Sequence, residues 1–531
     1  MIWTRESHPP VIWSIAGSDS GGGAGLSADS RAAQAMGAHL CPVVAAVTAQ
    51  NSLGVSAICP LPAAQIEAQM EALAADLWPR AIKTGLLGSA AAVECVAQLL
   101  DRMRRDDPSL ALIVDPVLGA SAGGLSFANA AVLRAMREQL LPRATLVTPN
   151  RREAERLLAV PHDTHTVPEL AARLRATGAR AVCITGGDDP STPGGQELAL
   201  DYLDSELACG WLASPRLPSP HHHGSGCSFA TGAASALARG FALPDAVLLA
   251  KMLTWCAVRD GHVAGRGSGP VRARASFVLD PTAMPVMSFG PEIDPLAPAR
   301  WLHVLNKPSA PTELGLYAIC DTIERVAELV QAGIPQIQLR IKAPPAEAEL
   351  VEQIRQALRL VEDSRSRLWI NDHWRAAVQA GARHLHLGQE DWAALRPDEE
   401  RWLLDSGLAL GLSSHSLWEL ARARGLAPSY IACGPVWPTT TKDMPWEPQG
   451  TDNLAWWSQM AGRPVVAIGG VLNPSQARDC AAAGASGVAL VRGLDAELSL
   501  VDSYLNAWVS GRVLARGAVR PPRPSLASET V

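Results

Sequence analysis

The 531-residue chain has no Cys-x-x-Cys pair, no lysine/arginine run, no Gly-Lys-Ser/Thr phosphate string and no bilayer-length apolar stretch. Each absence removes a class. The ten cysteines (41, 59, 95, 183, 209, 227, 256, 320, 433 and 480) are scattered, which argues against a zinc knuckle or disulfide framework and for a reducing cytoplasm. A net charge of -6 with no basic cluster gives no reason to expect nucleic acid or an anionic membrane as partner. The N-terminal MIWTRESHPP lacks the apolar core of a secretory signal. Residues 32–66 carry no charge, but Gln34, His39, Pro42, Gln50 and Asn51 interrupt them, so a buried helix–strand–loop is expected there and not a membrane span.

What is present is globular. Hydrophobic residues make up 48% and charged residues 18%, and the length accommodates two large α/β domains. The first half alternates apolar strands with Ala-rich helical stretches. Strands are predicted at 11–17, 42–49, 81–87, 110–117, 144–150 and 181–187, with ELALDYLD and ACGWLASPRL as an added antiparallel pair. Such alternation predicts a parallel sheet covered by helices. The pattern fails from about 265 to 312, where Pro and Gly dominate, with one short ordered piece near 300–305. It then restarts with eight predicted strands, at 314–320, 336–342, 368–372, 384–388, 409–415, 429–434, 464–470 and 487–493. Eight strand–helix repeats are the count of a closed (β/α)₈ barrel, whose chemistry lies at the C-terminal ends of the strands. The expected division is a first domain over 10–270, a linker over 271–312, a second domain over 313–510 and a disordered tail over 511–531.

The stretch SPHHHGSGCSFATGAAS (219–235) joins three histidines to a glycine loop and a lone cysteine. Consecutive His221, His222 and His223 cannot all reach one ion from regular structure, and no partner has zinc-finger spacing. Gly224-Ser225-Gly226 before helix formers is a loop entering a helix, where unpaired N–H groups and the dipole favour an anion. Cys227 falls in the first turn, where thiol pKa values are lowered. A tight helix start with a buried cysteine fits equally well. Gly23-x-Gly25-x-x-Ala28 mimics a dinucleotide fingerprint, yet no acid occurs between Asp29 and Glu67 to hold a ribose.

AGSDSGGGAG, AQN, KTGLL, VDPV, TPNRRE and HGSGC, in this order, resemble hydroxymethylpyrimidine/phosphomethylpyrimidine kinase, a ribokinase-like enzyme, over about residues 10–270. The resemblance implies that Gly224, Ser225, Gly226 and Cys227 form an anion hole for the transferring phosphoryl group, with Cys227 where related sugar kinases carry an Asp base. It implies Asn150 and Glu153 near Mg²⁺ and ATP, Gln50 on the pyrimidine, Gly17 nearby and Leu86 as an apolar wall. The bland reading of Gln50 is a loop amide satisfying backbone groups. Thr185 and Ser121 stand where the family often has lysines expected to contact phosphate.

In the second half, Asp372 and Asp391 follow neighbouring strands and can converge on one hard cation, although Asp391 serves equally well as a helix cap. Gln338, Arg340 and Lys342 alternate, which places them on one face of a strand. Thr439–Lys442 offer hydroxyls and a cation to a phosphate, or form a solvated polar loop. GLYAICD, QLRIK, INDHW, HLGQED, GLSSH, GPVWPTTTKD and VAIGGV resemble thiamine-phosphate synthase over about 313–495. The resemblance implies that Gln338, Leu339, Arg340, Ile341, Lys342, Asn371 and Lys442 bind the pyrimidine diphosphate, with Lys442 also neutralising the leaving diphosphate. Ser413 would touch the pyrimidine, and Asp372 and Asp391 would hold Mg²⁺. Thr439, Thr440, Thr441, Gly470, Val491 and Arg492 would hold thiazole phosphate, with Arg492 where the family usually has Ser.

The expected architecture is therefore a ribokinase-like α/β sandwich followed by a TIM barrel. The expected protein is a cytoplasmic bifunctional enzyme of thiamine biosynthesis, using hydroxymethylpyrimidine, ATP, thiazole phosphate and Mg²⁺, with room for a homo-oligomer. The alternatives are a pyridoxal-type kinase in the first half, against which the Cys of GSGC argues, and a chain in which one half only binds its ligand.

Overall fold

A computed structural model describes residues 2–3, 8–119, 128–187, 197–307, 312–439, 445–494, 498–514 and 517–526. The chain forms two compact units, Met1–Ile293 and Asp294–Thr530.

The first unit is built on a ten-stranded sheet. Its strands are β1 Val11–Asp19, β2 His39–Asn51, β3 Gly54–Pro60, β4 Ala81–Thr84, β5 Ala111–Val114, β6 Leu146–Val147, β7 Val182–Thr185, β8 Leu198–Asp204, β9 Cys209–Pro215 and β10 Val286–Met287. Their order is β10-β9-β8-β7-β6-β5-β4-β1-β2-β3. The centre from β2 to β7 is parallel, and both flanks are antiparallel. Every residue of β4 and β5 is buried, as expected of parallel strands covered on both faces. Register shifts fall at Ala16/Gly17 between β1 and β2 and at Ala49/Gln50 between β2 and β3. Such bulges re-aim side chains, and here they coincide with two expected substrate residues, Gly17 and Gln50.

Two strands escape sequence reading. The edge strand β3 is largely exposed and has little hydrophobic period, and β10 is only two residues long. The structure also differs from the expected linker over 271–312. Residues up to 293 stay with the first unit: β10 pairs with β9, and Phe277, Val278 and Met284 are buried. From Asp294 the chain belongs to the second unit, where the helix Ala297–Asn306 buries Trp301 and Val304 and Arg300 Nε donates to the Gly425 carbonyl at 3.0 Å. Proline and glycine here mark an irregular but packed path.

In the second unit β11 Gly315–Cys320, β12 Gln336–Leu339, β13 Arg367–Asn371, β14 His384–Leu387, β15 Ala409–Ser414, β16 Tyr430–Cys433, β17 Val465–Ala467 and β18 Gly487–Leu490 close into a parallel barrel. Tyr317, Trp369, Tyr430, Val466 and Ala489 fill its interior, so it is a packed core and not a pore. The Trp369 and Tyr430 rings meet edge-on with centroids 4.8 Å apart.

Residues 511–514 and 517–526 also differ from the expected disordered tail. The first of them complete the helix Val501–Arg512, and residues 517–526 form a strap with specific partners. The Asn453 side chain bonds both the N–H and the carbonyl of Arg523, at 2.8 and 3.2 Å. Arg523 Nη2 donates to the Gln449 carbonyl at 2.9 Å, Glu447 N donates to the Ser525 carbonyl, and Leu526 is buried. Polar backbone groups met by a buried amide explain how a proline-rich terminus becomes ordered. Deleting residues 517–531 is expected to destabilise the second unit by about 1–3 kcal/mol, the cost of leaving Asn453 and its neighbours unpaired. The measurement is the thermal-unfolding midpoint, and an unchanged midpoint would show that the strap contributes nothing.

Candidate functional site

In the first unit two glycine loops meet. Gly224, with φ +87°, caps the helix Ser225–Ala238 without a side-chain hydrogen bond. A Cβ on Gly224 would strike the Gly23 carbonyl, and one on Gly25 would strike the Gly17 carbonyl, so only glycine permits this approach. A Cβ on Gly226 would meet nothing within 4 Å, which leaves the first turn open for an anion. Gly17 and Leu86 are in contact, since a Cβ on Gly17 would lie 3.1 Å from Leu86 Cδ2. A cavity of about 310 Å³ is lined by Gly21, Gly23, Asn51, Ser52, His223 and Arg266 among others. The Gln50 amide approaches His223 and Thr48, each at 3.2 Å, and is half-buried.

Cys227 lies in the first turn as expected, but its thiol is not lowered. Burial pushes it up to about 12, outweighing the opposing charge of Lys83 and a bond from the Gly25 amide. The thiol is therefore protonated near neutrality. Asn150 and Glu153 form a reciprocal capping box on the helix Arg151–Leu158, with bonds of 3.0 and 2.9 Å. Burial, and then the neighbouring Asp115 charge, push the Glu153 carboxyl up to about 8, an environment that a cation would relieve. Thr185 ends β7 and bridges Asn150, while Ser121 lies outside the described residues.

Sequence reading missed the layer beneath. Lys83 Nζ is fully buried and contacts the two Asp29 oxygens at 3.1 and 3.0 Å and Asp115 Oδ2 at 3.5 Å. Thr231 and Ser14 donate to Asp29 at 2.8 and 2.6 Å. One signal was available: a lysine inside the apolar run AIKTGLL needs a buried carboxylate.

In the barrel the acidic pair converges. Asp372, held at φ +63°, and Asp391 have carboxyl groups within hydrogen-bonding reach of each other. Burial first, and then the charge of Asp391, push Asp372 up to about 6. Asp391 Oδ2 also accepts from the Gly388 amide at 3.0 Å, so it is both helix cap and member of the pair. Arg340 is close enough to oppose the shift on Asp372, and a cavity of about 400 Å³ reaches both acids. Paired carboxylate oxygens beside a cavity fit a hard divalent cation.

The rest of the expected set divides. Gln338 is buried on β12 and donates to Tyr317 Oη at 3.2 Å, and Leu339 is core. β12 ends at Leu339, so the expected alternation does not carry Arg340 and Lys342 on one strand face; Lys342 is exposed in the following loop. The Ile341 carbonyl meets His373 Nε2 at 2.9 Å. Asn371 is buried at the end of β13. Ser413 Oγ lies 3.1 Å from His386 Nε2, and His386 Nδ1 lies 2.7 Å from Tyr430 Oη. Burial pulls His386 down to about 4, so it is neutral. Gly470, at φ +71°, fits against Trp437 and Pro438, next to Thr439. Val491 and Arg492 are exposed just past β18. Thr440, Thr441 and Lys442 lie outside the described residues.

The phosphomethylpyrimidine kinase family matches residues 19–272, and the thiamine monophosphate synthase family matches 316–494. The thiamine biosynthetic bifunctional enzyme TH1, chloroplastic, of Arabidopsis thaliana is 31% identical over 506 residues, covering 91% of this chain and 90% of that protein. A hydroxymethylpyrimidine/phosphomethylpyrimidine kinase of Streptomyces coelicolor is 40% identical over 269 residues, covering 50% of this chain and 96% of its own. Among solved structures, the pyridoxal kinase of Staphylococcus aureus in complex with AMP-PCP and pyridoxal is 28% identical, covers 50% of this chain and 95% of its own, and gives a TM-score of 0.44.

Protons should compete with a cation at the acidic pair. Above about pH 6 the Asp372 carboxyl is charged; below it that carboxyl holds a proton. Calorimetric titration with Mg²⁺ is expected to show a component about tenfold weaker at pH 5 than at pH 7.5, roughly a factor of ten for the one pH unit below that value. Asp391→Asn should remove this component. A pH-independent component, or one that persists in the variant, would contradict the assignment.

Proposed function

Because this chain belongs to the family of bifunctional thiamine biosynthetic enzymes, we propose that its two halves act in sequence on one pyrimidine. It is a hydroxymethylpyrimidine and phosphomethylpyrimidine kinase joined to a thiamine-phosphate synthase, its substrates are small molecules, and ATP is the kinase co-substrate. In the first half the pyrimidine alcohol attacks the γ-phosphorus of ATP and ADP departs; a second transfer makes the diphosphate. Phosphoryl transfer asks mainly for positioning and charge stabilisation. The open helix start at Gly224–Cys227 supplies both to the transferring group, and Asn150 and Glu153 lie on the nucleotide side. Gln50 reads the pyrimidine against Gly17 and Leu86. A protonated Cys227 cannot accept a proton; its thiol donates a hydrogen bond to the transferring phosphoryl group, and the alcohol proton leaves to a phosphate oxygen as the new bond forms.

In the barrel the methylene–oxygen bond of the diphosphate breaks, and the thiazole nitrogen forms the new carbon–nitrogen bond. Asp372 and Asp391 fit Mg²⁺, which when bound supplies Lewis-acid neutralisation of the diphosphate. Arg340, Lys342, Asn371 and Lys442 bind the diphosphate, and Gln338 and Ser413 orient the pyrimidine. Thr439–Thr441, Gly470 and the Val491–Arg492 backbone receive thiazole phosphate, and a backbone contact tolerates Arg at 492. The observation that carries this reading is the meeting of Asp372 and Asp391 beside Arg340, from neighbouring strand ends of a closed barrel. None of the ten cysteines is in a disulfide, which supports a reducing compartment such as the cytoplasm, and among the described residues no helix is long and apolar enough to cross a membrane.

Cys227→Ala separates the halves. It is expected to lower kinase kcat about 10²-fold, the lower end of the range for removing one donor from an oxyanion hole. Condensation from preformed pyrimidine diphosphate should continue at the parental rate. Full kinase activity would reduce Cys227 to a packing residue, and loss of both activities would show that the halves do not work independently.

A further inference from the structure

His223 is the one histidine of the triplet that faces the kinase cavity, and the proposed chemistry gives it no role. Its backbone is pinned by Gly269 and Val271, through bonds of 3.2 and 3.0 Å. Its ring packs so closely on Gly23 that any Cβ there would collide with it. Nε2 lies 3.2 Å from Asp19 Oδ2 and 3.2 Å from the Gln50 side-chain amide, whose nitrogen is placed toward His223 and whose oxygen toward Thr48, an assignment that a half-turn of the amide exchanges.

Donor accounting decides which way these groups point. Asp19 accepts backbone N–H groups from Gly21, Gly23 and Ala24 at 2.8, 3.0 and 2.8 Å, as an ionised carboxylate does. A lone pair on Nε2 would face that carboxylate repulsively, so Nε2 carries the proton. The Gln50 atom facing His223 must then be its oxygen, because an amide nitrogen there would set two donors against each other. Thr48 agrees from the other side. Its hydroxyl lies 3.2 Å from both the Ser18 carbonyl and the Gln50 amide and has one hydrogen; given to Ser18, which can only accept, it leaves Thr48 an acceptor toward a turned Gln50 amide. It therefore takes an N–H from the Gln50 amide.

Resting on the kinase reading above, we infer that His223, hydrogen-bonded to Asp19, is a positioning residue that fixes the orientation of the Gln50 amide and so its selectivity for an aminopyrimidine. The bonds to His223 and Thr48 occupy one lone pair and one hydrogen of the amide. One lone pair and one hydrogen remain. A ring nitrogen beside an exocyclic amino group presents the complementary acceptor and donor, the same match by which Gln pairs with adenine. Without His223 the amide could turn over and offer the pair in reverse.

Two measurements test this. In selectively ¹⁵N-histidine-labelled full-length protein, His223 is expected as the Nε2–H tautomer; the Nδ1–H tautomer would overturn the inference. His223→Phe is expected to raise KM for hydroxymethylpyrimidine about 5- to 100-fold, the range for one bidentate pair, with kcat nearly unchanged. Preference over the analogue lacking the amino group should fall by the same factor, and His223→Gln, which restores an N–H donor, should recover part of it. Unchanged selectivity, or a loss confined to kcat, would refute the role. If the wild-type chain does not phosphorylate hydroxymethylpyrimidine, the kinase reading fails, while the tautomer still decides the orientation of Gln50.

Discussion

The first unit depends on one buried ion pair. Lys83 has no contact with solvent, and burial alone would strip its proton; Asp29, gripping it with both oxygens, holds the charge in place. Asp29 also receives hydroxyls from Ser14 and Thr231, so one carboxylate ties β1, its own helix Gly25–Ala35, β4 and the helix that begins the anion hole. Removing one partner of such a pair leaves an uncompensated charge and costs about 3–5 kcal/mol. Here it would also release the helix start at Gly224 from the strand ends it faces. The glycine loops above can approach each other because the layer below is fixed.

The barrel solves the same problem with neutral groups. Tyr317 and Tyr430 hydroxyls meet at 2.7 Å, Gln338 bonds the first, and His386 links the second to Ser413. A neutral His386 can donate with one nitrogen and accept with the other, so a continuous hydrogen-bonded chain runs from the barrel core to two proposed substrate contacts. In both halves a rigid polar layer sets the geometry of groups that meet ligand. The difference suits the proposed chemistry: charge lies beneath the proposed phosphoryl-transfer site, and hydroxyls, an amide and a neutral imidazole lie beneath the proposed condensation site.

Much of this was legible in the residues. Eight apolar runs ending in polar residues defined the barrel, because its strands are buried and its chemistry follows their ends. Glycine at 224 and the acids at 372 and 391 were legible because few residue types serve those positions. What escaped was long-range or weakly patterned. Asp19 and Gln50 are 204 and 173 residues from His223, and no local period reports such a pairing. At Cys227 the helix start and the burial pull the thiol in opposite directions, and only the packed environment shows that burial wins. Lys342 was placed on a strand face because alternation continued in the residues after the strand had ended at Leu339. Strand β10 and the 517–526 strap were hidden because proline-rich segments pack through backbone and single side chains, without a repeating face.

The central claim is that one chain carries a pyrimidine alcohol through to a condensed vitamin phosphate. The most direct measurement is mass spectrometry of the products formed by the full-length protein from hydroxymethylpyrimidine, Mg-ATP and thiazole phosphate. The account predicts thiamine phosphate, with ADP formed at two per product and free diphosphate at one. Accumulation of pyrimidine monophosphate or diphosphate with no thiamine phosphate, or no phosphorylated pyrimidine at all, would contradict it.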